Sequence, residues 1–111
     1  MKVEEIEMAV ANITQRCRES LESYYGSQLM GVILYGSVAR NQASPASDID
    51  LLVLLNPPFD YFAELRRIVE LLYPIQVESE RLISAQPAAY DEFEKGSLQL
   101  YRNAKRDGVA M

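Results

Sequence analysis

The sequence contains no histidine, no tryptophan and a single cysteine, Cys17. These gaps remove whole classes of chemistry. Without an imidazole, no Ser-His-Asp or Cys-His nucleophile can be assembled. One thiol cannot close an intrachain disulfide, and the Cys/His sets that hold structural zinc are out of reach. Acid–base and charge chemistry must therefore come from carboxylates or from a bound metal. Long apolar runs are also lacking: the longest, such as Leu51 to Leu55, fall far short of the roughly 20 residues a membrane span needs. Positive charge is scarce. The net charge is −5, and the one basic cluster, Arg102, Lys105 and Arg106, has Asp107 beside it. That footprint is too small for direct nucleic-acid binding to be expected. The first ten residues, MKVEEIEMAV, carry glutamates where a secretion signal needs positive charge and an apolar stretch, so a cytoplasmic location without membrane attachment is expected.

What is present suits one α/β domain covering the 111 residues. Apolar residues Ile6, Val10, Ile13, Cys17, Leu21 and Tyr24 recur three and four apart, which predicts a long amphipathic helix ended by Gly26. Cys17 lies on that stripe and reads as a small core residue. Residues 30–35 form a continuous apolar run, a strand buried on both faces, stopping at Gly36. A polar connection with a helical turn over 38–42 leads to a second strand, 48–55, closed by Asn56, Pro57 and Pro58. Helical spacing predicts a helix over 60–73 that Pro74 stops. Ile75 and Val77 alternate with Gln76, Glu78 and Glu80, which predicts a half-buried strand over 75–81. A short helix over 87–95 ending at Gly96, then a last helix capped by Ser97 and running to Gly108, complete a small mixed sheet flanked by helices.

The chemistry concentrates in GSVARNQASPASDID, Gly36 to Asp50. Asp48 and Asp50 open an otherwise apolar strand, and residues two apart on a strand share a face at about 6–7 Å. A buried unpaired carboxylate is costly, so a positive partner is expected there. Two convergent carboxylates suit magnesium, which takes hard oxygen ligands and completes its shell with substrate phosphates. The first strand's end supplies the complementary half. Gly36 lets a ligand approach the backbone, Ser37 offers a hydroxyl and an amide, and Arg40 lies one turn on for a charge-assisted phosphate contact.

Gly36-Ser37, ten residues, then Asp48-Ile49-Asp50 resembles the signature of the polymerase-β-type nucleotidyltransferases. The short length, the SVAR run after Gly36 and the ending GSLQLYRNAKRDGV are similar to the minimal nucleotidyltransferase branch. The resemblance covers the chain from about Met30 onward. It implies a polymerase-β-like fold, here an N-terminal helix over 1–26, a catalytic core over 30–80 and C-terminal helices over 87–108. It implies Mg²⁺-dependent transfer of AMP from ATP, with Asp48 and Asp50 as metal ligands and Gly36, Ser37 and Arg40 at the nucleotide. Minimal members are partnered with a HEPN-domain toxin in a hetero-oligomer. In such pairs the nucleotidyltransferase is the antitoxin, and some attach AMP to a toxin tyrosine. The family pattern adds a third carboxylate on a later strand, able to accept the proton of the attacking hydroxyl. On the strand expected over 75–81, one register puts Gln76 in that place, while Glu78 and Glu80 share a face and can substitute; Glu78 is the chosen candidate. Two alternatives stay open: an antitoxin that acts by contact with weak or no catalysis, and a transferase for a small molecule, which the short chain disfavours.

Overall fold

The computed structural model describes residues 8–39 and 47–111. Helix α1, Met8–Tyr25, buries Val10, Thr14, Cys17, Leu21 and Tyr25, the three-and-four spacing of a core-facing stripe. Thr14 is tolerated there because its hydroxyl donates to the Val10 carbonyl at 3.0 Å. Cys17 is wholly buried, and that burial pushes its thiol up to about 11, so it packs and does not react.

A short 3-10 turn leads to strand β1, Leu29–Tyr35, followed directly by the short helix α2, Gly36–Ala39. Strand β2, Ile49–Leu55, runs back antiparallel to β1 with Leu34 opposite Leu51 and Tyr35 opposite Asp50. Every residue of β2 except Asp50 is buried. Its two faces feed two clusters. Ile49, Leu51, Val53 and Leu55 pack with α1 and with Ile68, Leu72 and Ile75 of the next helix. Leu52 and Leu54 pack on the other face with Ala88, Phe93, Tyr101 and Ala104. Each fully buried leucine of this kind contributes about 1.5–3 kcal/mol.

Helix α3, Tyr61–Glu78, starts at an Asp60 cap whose side chain accepts from the Ala63 amide at 2.9 Å. It does not stop at Pro74. Proline inside a helix forfeits a backbone bond and crowds the preceding turn, at a cost of about 3 kcal/mol. Here Ile75 extends the buried row Ile68, Leu72, Ile75, and its burial against the core carries the helix on. The strand expected over 75–81 is therefore the last turn of α3 and the link after it. Gln76 pins that link: its Nε2 donates to the Arg81 carbonyl at 3.0 Å and its Oε1 accepts from the Ile83 amide at 2.7 Å.

The third strand is β3, Ile83–Ala89, parallel to β2 with Asp50 opposite Ser84 and Leu52 opposite Gln86. It absorbs residues 87–89, expected to be helical. Ile83 points its amide outward to Gln76, and Pro87 has the same outward parity, so the missing N–H removes nothing from the ladder. Helix α4, Tyr90–Lys95, ends as expected at Gly96, whose φ of 68° forms a left-handed cap. Helix α5, Gln99–Asp107, begins after Leu98, and no side chain caps it, so Ser97 does not play the expected role. Strand β4, Val109–Ala110, adds to the far edge of β1, giving the sheet order β3-β2-β1-β4.

Candidate active site

Antiparallel β1 and parallel β3 bring three strand ends to one edge of the sheet beside the start of β2. Tyr35, Gly36 and Ser37 come from the end of β1, Asp48 and Asp50 from the start of β2, and Ser84 from the start of β3. Alternation along β2 puts Asp50 on the face of Leu52 and Leu54, the face covered by α4 and α5. That cover lies over the apolar half, and Asp48 is exposed and Asp50 half-buried.

Gly36 is what lets the two signature halves meet. Its φ is +80°, a conformation L side chains rarely adopt, and a Cβ built there would collide with Asp50 Oδ2. The Asp50 carboxylate thus lies against the backbone of the Gly36-Ser37 turn, in space that only glycine leaves open. Two carboxylates beside an open glycine turn are a hard-oxygen donor set that fits Mg²⁺ with substrate oxygens completing its shell. Among the described residues no three carboxylates or cysteines gather into a metal-holding group.

Neither Glu78 nor Glu80 gathers with Asp48 and Asp50 into one metal-holding group. Glu78 sits in the last turn of α3, in the helical layer over the Ile49–Leu55 face, and accepts from Arg16 Nη2 of α1 at 2.5 Å. Glu80 is exposed in the link after α3. The residue in register beside Asp50 on the neighbouring strand is Ser84. Arg40 lies outside the described residues.

Three side chains on the Asp50 face of the sheet form a hydrogen-bonded chain that sequence reasoning did not anticipate. Tyr61, the first residue of α3, donates its hydroxyl to Gln86 Oε1 at 3.0 Å, and Gln86 Nε2 donates to the Tyr35 oxygen at 3.0 Å. Burial raises the Tyr35 phenol above its ordinary value; the Gln86 hydrogen bond draws it back, and the charge of Asp50 adds to the rise. Only the pairing register, which was misassigned for β3, could have revealed Gln86 and Tyr35 as neighbours of the acids.

A profile of the nucleotidyltransferase domain matches residues 14–107. The chain is also 36% identical, over 69 residues, to a protein of Methanocaldococcus jannaschii that bears the name "putative protein adenylyltransferase"; the match covers 59% of this chain and 69% of that protein. No helix among the described residues is long and apolar enough to cross a membrane.

Proposed function

The chain belongs to the nucleotidyltransferase domain family, and from that premise we propose that it transfers AMP from ATP, with Mg²⁺, to a tyrosine hydroxyl of a HEPN-domain toxin and so serves as its antitoxin. The observation that carries this reading is the packing of Asp50 against Gly36, which joins the carboxylate pair to the glycine-serine turn at one sheet edge. In it, Gly36 and Ser37 hold the triphosphate through backbone amides and the Ser37 hydroxyl, and Asp48 and Asp50 hold the cation. Bound Mg²⁺ would neutralise the phosphate charge and polarise the reacting phosphoryl group. The acceptor oxygen forms a bond to the α-phosphorus, the bond to the β-phosphate oxygen breaks, and pyrophosphate leaves. The phenolic proton passes to a carboxylate of the pair or to water. A tyrosine acceptor suits this modest machinery, since its pKa is near about 10.

A protein acceptor is supported by the kinship with a protein named as an adenylyltransferase of proteins. An exposed apolar strip on α3, comprising Phe62, Val69, Tyr73 and Val77, with Leu82 beyond it, offers surface for such a partner. The toxin and antitoxin roles rest on the resemblance to the minimal branch.

A second reading has its own observation. With Ser84 beside Asp50 and no third acid gathered there among the described residues, the protein is an antitoxin that works by contact, binding nucleotide with weak or no transfer. One experiment separates the two. The protein is incubated with its partner, magnesium and ATP, and the partner's intact mass is measured. The first reading expects the mass of AMP on a partner tyrosine, lost in Asp48→Asn. Tight partner binding without any mass shift selects the second.

A further inference from the structure

Asp48 stands just before β2, outside the residues that strand pairing fixes, and its side chain is exposed. A carboxylate in such a place keeps one direction only if its backbone is held. Two bonds hold it, one on each side. The Ser47 carbonyl accepts from Arg81 Nη1 at 3.3 Å, and the Ile49 amide donates to the Leu82 carbonyl at 2.8 Å. Both anchors come from the link between α3 and β3, and that link is itself braced. Ser79 Oγ donates to the Arg81 carbonyl at 2.8 Å and accepts from the Arg81 amide at 3.1 Å. Gln76 donates to the same carbonyl and accepts from the Ile83 amide. The bond from Ile49 joins two backbones, so any residue at those positions would supply it. The bond to Ser47 needs a long side chain with a donor at its end, so it depends on Arg81 itself.

We propose that Arg81 is a positioning residue for Asp48: its guanidinium, held from the end of α3, ties down the carbonyl before the acid and keeps the carboxylate aimed for a divalent cation bound with nucleotide. The proposal rests on the nucleotide reading above and adds to it the residue that fixes the more exposed of the two ligands. Losing a group that orients a metal ligand from outside typically costs about 10–100-fold in metal affinity. The lower end applies here, because Arg81 works through the backbone. Charge alone predicts the opposite sign, since removing a positive group near the site should tighten cation binding. In this role Arg81 acts through Asp48 and touches no substrate.

Titration of Mn²⁺ at a saturating level of a non-hydrolysable ATP analogue, followed by electron paramagnetic resonance, tests this without any turnover. Arg81→Met keeps the stem and removes the donor, and should weaken Mn²⁺ binding about tenfold. The splitting of the bound-ion spectrum, which the ligands set, should change with it. Arg81→Lys restores a donor on a long stem and should recover most of both. Ser79→Ala leaves the guanidinium in place but loosens the link that carries it, and should weaken binding by a smaller factor. Urea unfolding of the metal-free variants reports the structural cost separately. Wild-type or tighter Mn²⁺ binding in folded Arg81→Met, or in Ser79→Ala should Arg81→Met not fold, overturns the proposal. So does a loss confined to nucleotide affinity, which would make Arg81 a phosphate contact; the nucleotide reading survives both results. Absence of nucleotide-dependent Mn²⁺ binding in the unaltered protein would overturn the proposal and that reading together.

Discussion

The acid-bearing face of β2 has two halves with opposite needs. At one end Leu52 and Leu54 lie under Phe93, Tyr101 and Ala104 and are sealed from water. At the other, Asp48 is exposed and Asp50 half-buried. The strand is one continuous ladder, yet α4 and α5 cover only the part where burial is favourable. A carboxylate under that cover would have to shed its hydration without a counter-charge. What the contrast teaches is that stability and chemistry are separable along seven residues of one strand, and substitutions at each end should fail in different assays.

The sharpest test is a pair. Leu52→Ala leaves a cavity in the sealed half and should cost about 2–5 kcal/mol of stability, read by urea unfolding. Asp50→Asn keeps side-chain shape, removes a ligand charge and should unfold near the wild-type midpoint. Calorimetry should nevertheless find its magnesium-dependent ATP binding abolished. Wild-type nucleotide affinity in Asp50→Asn would end the assignment of the pair as the cation site.

Gly36→Val joins the two behaviours. As a turn read from sequence alone, Gly36 invites the expectation that valine spoils nucleotide binding and little else. The positive φ and the position of Asp50 change that. A branched residue forced there should cost about 1–3 kcal/mol in backbone strain and also displace Asp50, so unfolding and nucleotide titration should both register it.

A smaller effect is expected where the edge lacks an acid. Ser84→Asp places a third carboxylate in register with Asp50. Without cation the like charges repel across the strands, and the metal-free protein should lose a little stability. With magnesium and the partner, a base that is missing and now supplied should raise the rate of AMP transfer by about a hundredfold, within the range such groups contribute. An unchanged rate would mean that proton removal does not limit the reaction.

Much of this was legible before any coordinates. The apolar runs before Gly36 and after Asp48 read as strands, and their order puts the turn beside the acids; β2 is buried on both faces as expected, whereas β1 buries only Val32 and Leu34 and leaves Met30 exposed. The third strand was not legible, for two physical reasons. Pro74 is a strong stop signal, and only the burial of Ile75 in the tertiary core overrides it. The true strand, ISAQPAA, is built of small and polar residues with a proline, and it holds its place through β2 and the Gln76 clasp, not through intrinsic preference. Gln86 and Ser84 were hidden with it.

Glu78 carries the consequence of that misassignment, and its substitution has the smallest expected effect. On a strand over 75–81 it would face the acids, and Glu78→Gln would slow AMP transfer by about a hundredfold, the loss of a positioned base. In the structure it ends α3 and meets Arg16 across the helical layer, both side chains well exposed. The Glu78 hydrogen bond and charge hold the Arg16 guanidinium even further above its ordinary range. Exposed pairs of this kind contribute little because water and salt screen them. Glu78→Gln should therefore leave AMP transfer at the wild-type rate, and the slight loss of stability should shrink further as salt is raised. A large drop in transfer with the fold intact would mean that the end of α3 approaches the acids during the reaction, and that the two halves of the β2 face are not the whole of the site.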